Sequence, residues 1–90
     1  MACSSRVEIV NQRGLHARAS AAFSRLAQQY DSAVLVSREG IEADGKSIME
    51  LLTLAASKGS TIEISANGTD ESDAVSALEA LVVDRFGEDE

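Results

Sequence analysis

The 90-residue chain has no tryptophan, no proline, two phenylalanines, one tyrosine, one histidine and one cysteine. Because Cys3 has no second cysteine, an internal disulfide is excluded, and one Cys with one His is a poor set of metal ligands. We therefore predict a free thiol, no metal site and no cofactor. With aromatics so scarce, the core must be built from aliphatic side chains.

The chain also has few basic residues, with 8 Lys and Arg against 15 Asp and Glu and a net charge of -7. This balance argues against a nucleic-acid binder, which needs clustered cations to displace counterions from phosphates. It also disfavours docking to an acidic membrane. No apolar run is long enough for a membrane span or a signal peptide, so the expected location is the cytoplasm.

Apolar periodicity predicts seven elements. Alternating side chains indicate strands at 6–10 and 60–66, and two short β-prone runs separated by a glycine-containing link indicate a hairpin at 33–37 and 41–43. Spacing of three and four residues indicates helices at 17–30, from 48 to Gly59, and after Thr69 or Asp70. In the first helix, Ser24 belongs to the face predicted to be exposed.

The order β-α-β-β-α-β-α is typical of an α+β fold in which an antiparallel sheet carries its helices on one face. The length suits one domain, residues 1–90. The polar start, residues 1–5, and the acidic end, residues 87–90, are predicted to be flexible.

The only histidine, His16, lies where a turn gives way to a helix, two residues before Arg18. The first turn of a helix has free N–H groups that stabilise an anion, and an arginine can fork onto its oxygens. A neutral imidazole is also a good nucleophile. The pattern fits a transient phosphohistidine, although a lone histidine there is more often a surface or capping residue. A triad with Ser20 or Ser24 is poorly supported, because nothing orients them.

Two segments carry a resemblance to a known family. "GLHARAS" at 14–20 resembles the active-site motif of HPr, the histidine-containing phosphocarrier of the bacterial phosphotransferase system. "GKSIMELLTLAASKGSTIEISANGTDESDAV" at 45–75 is similar to the second half of that family, and the likeness spans roughly residues 6–85. It implies an open-faced β-sandwich with strand order 1-4-2-3 and three helices on one face.

The resemblance also implies roles for named residues. His16 matches the histidine phosphorylated at Nδ1, and Arg18 matches the arginine that steadies the phosphoryl group. The donor in the family is enzyme I, charged by phosphoenolpyruvate, and the acceptor is an EIIA-type protein. Ser47 matches a serine modified in many members by an HPr kinase/phosphorylase, although it is equally suited to be only a helix N-cap.

The resemblance further implies a docking surface beside the histidine and a monomeric protein. Ile48 and Leu52 fit this surface but also fit a core stripe, whereas Met49 lies off the stripe and fits docking better. The predicted docking residues are Ala21, Arg25, Lys46, Ile48, Met49 and Leu52.

Two letters depart from the family pattern. Ala19 replaces a frequent proline, and we expect the helix to form regardless because alanine favours helices. Glu50 replaces a frequent Gly or Lys, and its charge beside the docking surface fits a regulatory, nitrogen-related branch. A module of the same fold that regulates by docking alone is the alternative function, and a small hydrolase using His16 is a weaker one.

Overall fold

The computed structural model describes residues 3–90. Its strands are β1 (Cys3–Glu8), β2 (Ala33–Arg38), β3 (Ile41–Asp44) and β4 (Thr61–Asn67). Its helices are α1 (Ala17–Ala27), α2 (Ile48–Thr53) and α3 (Glu71–Val83), followed by a 3₁₀ turn at Arg85–Gly87. This is the element order that the sequence predicts.

The four strands form one antiparallel sheet in the order β1-β4-β2-β3. Val7 pairs with Ile62, Val36 with Ile64, and Val36 also with Ala43 across the hairpin. These partners all point to the face that the helices cover. The predicted strand order and the predicted hairpin are therefore confirmed.

The core lies between this face and the helices. Alternation in β4 buries Ile62 and Ile64 and leaves Thr61 at the surface, as the period of two requires. The helices contribute the largest buried side chains opposite the sheet, which include Phe23, Leu51, Leu54 and Leu78. Phe23 is the only fully buried aromatic among the described residues, so the core is aliphatic as predicted.

The first strand begins earlier than predicted. Cys3, Ser4 and Ser5 pair with Ala66, Ser65 and Ile64 of β4, although residues 1–5 were expected to be a flexible start. Small polar side chains show no apolar alternation, so the sequence of this segment does not predict a strand. The strand forms here because the segment pairs with β4. Residues 1 and 2 lie outside the described part of the chain.

The first helix also ends earlier than predicted, at Ala27 rather than near Tyr30. The chain after it forms the tighter bonds of a 3₁₀ turn, in which an amide donates to the carbonyl three residues back. Gln29 N–H, for example, donates to the Leu26 carbonyl at 3.0 Å. Tyr30 N–H donates to the Ala27 carbonyl at 3.2 Å, and the two amides after it, of Asp31 and Ser32, donate to the Asp70 carboxylate at 2.9 Å each. Asp70 therefore draws the chain out of the helix towards the start of α3.

The second helix ends at Thr53, so the prediction that it runs to Gly59 is wrong. Ala55 takes the left-handed conformation, φ 49°, that terminates helices and that glycine usually occupies. Gly59 instead lies in the turn before β4, where its N–H donates to the Ile9 carbonyl at 2.8 Å. Within residues 3–90, no helix is long and apolar enough to cross a membrane.

The Asp70 contacts lead to a pH-dependent prediction. The Ser32 hydroxyl and then the Asp31 amide hold the pKa of Asp70 below its ordinary value. A lowered pKa stabilises the fold above the unfolded pKa, about 3.9, and this contribution is lost as the pH falls through the folded pKa. We expect Asp70→Asn to be less stable than wild type at pH 7, and the gap in urea-unfolding free energy to narrow in acid. An equal gap at pH 7 and at about pH 3 would contradict this.

Candidate functional site

The loop before α1 places His16 at the helix start. Gly14 has a left-handed φ of 65°, and its N–H donates to the Asn11 carbonyl. Leu15 is buried and its N–H donates to the Ala56 carbonyl at 2.8 Å. With Leu15 anchored inward, the next residue emerges at the surface, and the His16 side chain is 24% exposed.

His16 is the N-cap of α1. Its backbone is extended, and its Nδ1 accepts the N–H of Arg18 at 3.3 Å. The contact is long for a hydrogen bond, so the amide is readily shared with another acceptor. No acidic side chain stands in the first turn of α1, which leaves the positive end of the helix dipole available to an anion near Nδ1.

The other ring nitrogen faces a carboxylate. His16 Nε2 lies 2.5 Å from Glu88 Oε2, and Asn11 Nδ2 donates to Glu88 Oε1 at 2.9 Å. Burial on its own raises the pKa of Glu88, but the hydrogen bonds from Asn11 and His16, with the nearby charge of Arg18, lower it overall. Glu88 is therefore a carboxylate at neutral pH, although the sequence placed it in a flexible tail.

Arg18 is exposed at the second position of α1. No acidic group lies within ion-pair distance of its guanidinium in the described part of the chain. It borders a hollow that is also lined by Arg13 and the tail residues Glu88, Asp89 and Glu90. The arginine is thus free to meet an anion beside the His16 ring.

The serines near His16 do not form a triad with it. Ser20 Oγ donates to the Leu15 carbonyl at 3.2 Å and Ser24 Oγ to the Lys46 carbonyl at 2.8 Å. Both are buried, so the prediction that Ser24 is exposed is wrong. Ser24 faces the turn before α2, and a hydroxyl bound to a carbonyl there can be buried without an unpaired polar atom.

The segment at 45–75, the second one that resembles the family, contains the start of α2. Ser47 is the N-cap, and its Oγ accepts the N–H of Glu50 at 3.2 Å. The Glu50 carboxylate accepts the N–H of Asp44 at 3.0 Å. The capping role proposed for Ser47 is therefore present, and Glu50 helps to hold the turn that precedes the helix.

An apolar surface follows on α2. Met49 is 74% exposed, Ile48 40% and Leu52 36%, so the alternative that Ile48 and Leu52 are core residues is wrong. Arg25 is exposed on α1, which packs against α2, and Ala21 is half-buried there. Lys46 is half-buried too, and its Nζ donates to the Tyr30 carbonyl at 2.8 Å.

Comparisons with known proteins agree with this arrangement. Residues 3–84 match the family model PTS-HPr, described as the PTS HPr component phosphorylation site. The chain belongs to the HPr family. It is 50% identical over 82 residues to the phosphocarrier protein HPr of Cupriavidus necator, covering 91% of this chain and 92% of that protein. It is 40% identical over 90 residues to the phosphocarrier protein NPr of Escherichia coli K12, covering 99% and 100%.

A solved structure shows the same fold. The crystal structure of HPr-C-His from Thermoanaerobacter tengcongensis matches with a TM-score of 0.93 and 36% identity, covering 98% of this chain and 99% of that one. The predicted membership of the HPr family is confirmed, and relatives named HPr and NPr are both consistent with it. Ala19 is buried within an intact α1, so its replacement of the frequent proline leaves the helix in place.

Two residues of the site were not identified from the sequence. Asn11 reads as a turn residue, but its side chain is fully buried and bonds to the Gly14 carbonyl at 2.9 Å as well as to Glu88. Glu88 stands in the acidic run "EDE", which reads as a solvated end. The sequence contains no signal for the contact with His16, because 72 residues separate the two.

Proposed function

We propose that this protein is a phosphocarrier that takes a phosphoryl group on His16 from enzyme I, charged by phosphoenolpyruvate, and passes it to an EIIA-type protein. The observation that supports this most directly is the orientation of the ring. Nδ1 points to the N-terminus of α1, where the Arg18 amide lies 3.3 Å away, and amides at a helix start stabilise phosphate oxygens. Membership of a phosphocarrier family supports the same role.

The transfer needs no bound cofactor. The Nδ1 lone pair attacks phosphorus as the bond from phosphorus to the donor breaks, and the donor keeps the electron pair of that bond. The phosphoryl oxygens then lie against the first amides of α1 and within reach of the Arg18 guanidinium, a fork suited to oxyanions. Reversal of these steps on an EIIA-type acceptor returns His16 to its starting state. The protein is thus a relay rather than an enzyme with its own turnover.

The proposal is tested by incubating the protein with phosphoenolpyruvate and purified enzyme I. We expect one phosphoryl group per chain, labile in acid and stable in base, in the peptide that contains His16. Acid-stable phosphate would instead indicate a hydroxyl such as that of Ser47. Absence of labelling with several cognate enzymes I would contradict the proposal, and steady release of phosphate without partners would favour the hydrolase.

The apolar surface on α2 is proposed as the docking site for these partners, with the exposed Arg25 at its rim. Three large apolar side chains on this one short helix are exposed to solvent. Exposed apolar patches of this kind commonly mark interfaces. Lys46 Nζ donates to the Tyr30 carbonyl, so the fold fixes the position of the Lys46 charge.

We expect Met49→Glu to weaken binding to enzyme I by about tenfold or more. Losing the contacts of a side chain that is buried in an interface costs about 1–2 kcal/mol or more of binding free energy. The melting temperature of the Met49→Glu variant should match that of wild type, since Met49 contributes little to the core. Titration calorimetry with enzyme I measures the affinity, and Glu42→Gln, on an exposed strand residue, serves as the control. Unchanged affinity in Met49→Glu would remove α2 from the docking surface.

Regulation at Ser47 is proposed with the same surface in mind. A phosphate on Ser47 would add about 1.5–2 negative charges at the start of α2, beside Met49. A helix N-terminus tolerates such a charge, so the effect would fall on partners rather than on the fold. The nitrogen-related branch and a cytoplasmic location stay predictions drawn from the sequence, and a monomeric state stays a prediction drawn from the family.

A further inference from the structure

The C-terminal segment is built to return to the site. After α3, three successive residues, Arg85, Phe86 and Gly87, have positive φ values of 59°, 56° and 82°. Phe86 is buried and fixes this turn against the core. The chain is thereby reversed, and Glu88 arrives beside the start of α1. The backbone N–H of Gln12 donates to the Glu90 carbonyl oxygen, which holds the end of the segment as well.

Both carboxylate oxygens of Glu88 are engaged. Oε1 accepts from Asn11 Nδ2, Oε2 lies 2.5 Å from His16 Nε2, and the side chain is only 12% exposed. The Asn11 amide is oriented in turn, because Nδ2 faces two acceptors, Glu88 Oε1 and the Gly14 carbonyl. An amide oxygen in that place would meet only other acceptors.

This arrangement selects one tautomer of His16. The carboxylate only accepts, so Nε2 carries the proton and donates it to Glu88. The Arg18 amide only donates, so Nδ1 presents its lone pair. The hydrogen bond at one ring nitrogen thus determines the state of the other.

We propose that Glu88 is a positioning residue for phosphotransfer, holding the proton on Nε2 so that Nδ1 stays nucleophilic and balancing the charge that the ring gains. This inference rests on the proposed phosphocarrier function. When Nδ1 of an Nε2-protonated ring bonds to phosphorus, the ring becomes cationic, and the proton stays on Nε2. A carboxylate on that proton stabilises the cation as it forms, while Arg18 and the α1 amides face the phosphoryl oxygens.

The test compares Glu88→Gln with Asp84→Asn, which removes the same charge four residues earlier, on an exposed side chain outside the hollow that Arg18 borders. The glutamine fits the pocket in one orientation, in which its oxygen accepts from Asn11 and its NH₂ donates to Nε2. That orientation requires an unprotonated Nε2 and moves the proton to Nδ1. Because His16 is the only histidine, nitrogen-15 spectra report its tautomer without ambiguity.

We expect the wild type and Asp84→Asn to show mainly Nε2–H, and Glu88→Gln to shift towards Nδ1–H. We expect Glu88→Gln to be phosphorylated by enzyme I about tenfold or more slowly, the scale of one lost charge-assisted hydrogen bond. Asp84→Asn should keep the wild-type rate. Glu88→Asp, which restores the charge on a shorter side chain, should recover part of the rate and the Nε2–H form.

An unchanged tautomer in Glu88→Gln, or an equal slowing in Asp84→Asn, would overturn the inference. The inference would also be overturned if Glu88→Gln were slower and had a lower melting temperature but kept the wild-type tautomer. If wild type is never labelled, the phosphocarrier proposal fails, yet the spectra of the isolated protein still decide whether Glu88 sets the tautomer. If wild type is labelled and Glu88→Gln matches its rate, only this inference fails.

Discussion

Replacing His16 with asparagine is expected to abolish phosphoenolpyruvate-dependent labelling altogether. The chain has no second histidine, so no other imidazole can take the phosphoryl group. Asparagine is a strong N-cap, and its side-chain oxygen can accept from the first-turn amides that His16 Nδ1 now faces. The variant therefore removes the nucleophile and keeps the helix start, and acid-labile phosphate after incubation with enzyme I is the measurement.

His16→Ala is the companion variant, because it removes the cap as well. It should lose labelling equally and be less stable than His16→Asn by about 1 kcal/mol, the usual value of a helix N-cap. His16→Asn should still compete with wild type for enzyme I, since the apolar surface on α2 is untouched. Acid-labile phosphate persisting in His16→Asn would contradict the role of His16. Binding to partners with no labelling even in wild type would favour the module that regulates by docking alone.

Much of the fold could be predicted because its patterns are local. The alternation around Ile62 and Ile64 encodes a half-buried strand whatever lies beside it, and the glycine-containing link between β2 and β3 encodes a hairpin. Ser47 precedes its helix by one residue and bonds to an amide three residues on, so its capping geometry is also written locally. The His16–Arg18 pair was predictable for the same reason.

Most of what was missed depends on residues far apart in sequence. Ser24 reads as exposed until the turn before α2 brings the Lys46 carbonyl to it, and β1 gains its first residues only by pairing with β4. The end of α2 was misplaced because Ala55 accepts a left-handed backbone that favours glycine. The contact of Glu88 with His16 needs the turn at Phe86, which no propensity predicts for an acidic tail. The half of the site that faces Nε2 is therefore a product of tertiary structure.

Gly14→Ala is expected to cause the largest loss of stability among the substitutions considered. A Cβ at Gly14 would lie 2.5 Å from the Ala56 carbonyl oxygen and 2.8 Å from the Ser57 Cα, both backbone atoms. It would also occupy a left-handed φ of 65°. Overpacking and left-handed strain together predict a loss of about 2–4 kcal/mol in unfolding free energy. Urea denaturation measures this directly.

The matched control is Gly59→Ala, which isolates the strain from the clash. Gly59 has a left-handed φ of 92°, but a Cβ there meets nothing within 4 Å, so about 1 kcal/mol is expected. Because relief of the Gly14 clash must push the 11–16 loop away from Ala56, the bond from Leu15 N–H to Ala56 should weaken and His16 should shift from Glu88. Gly14→Ala should therefore also be phosphorylated more slowly than Gly59→Ala under conditions where both are folded. Equal stability losses in the two variants would show that the loop yields without resistance, and that the close approach of Gly14 to Ala56 does not hold His16 in place.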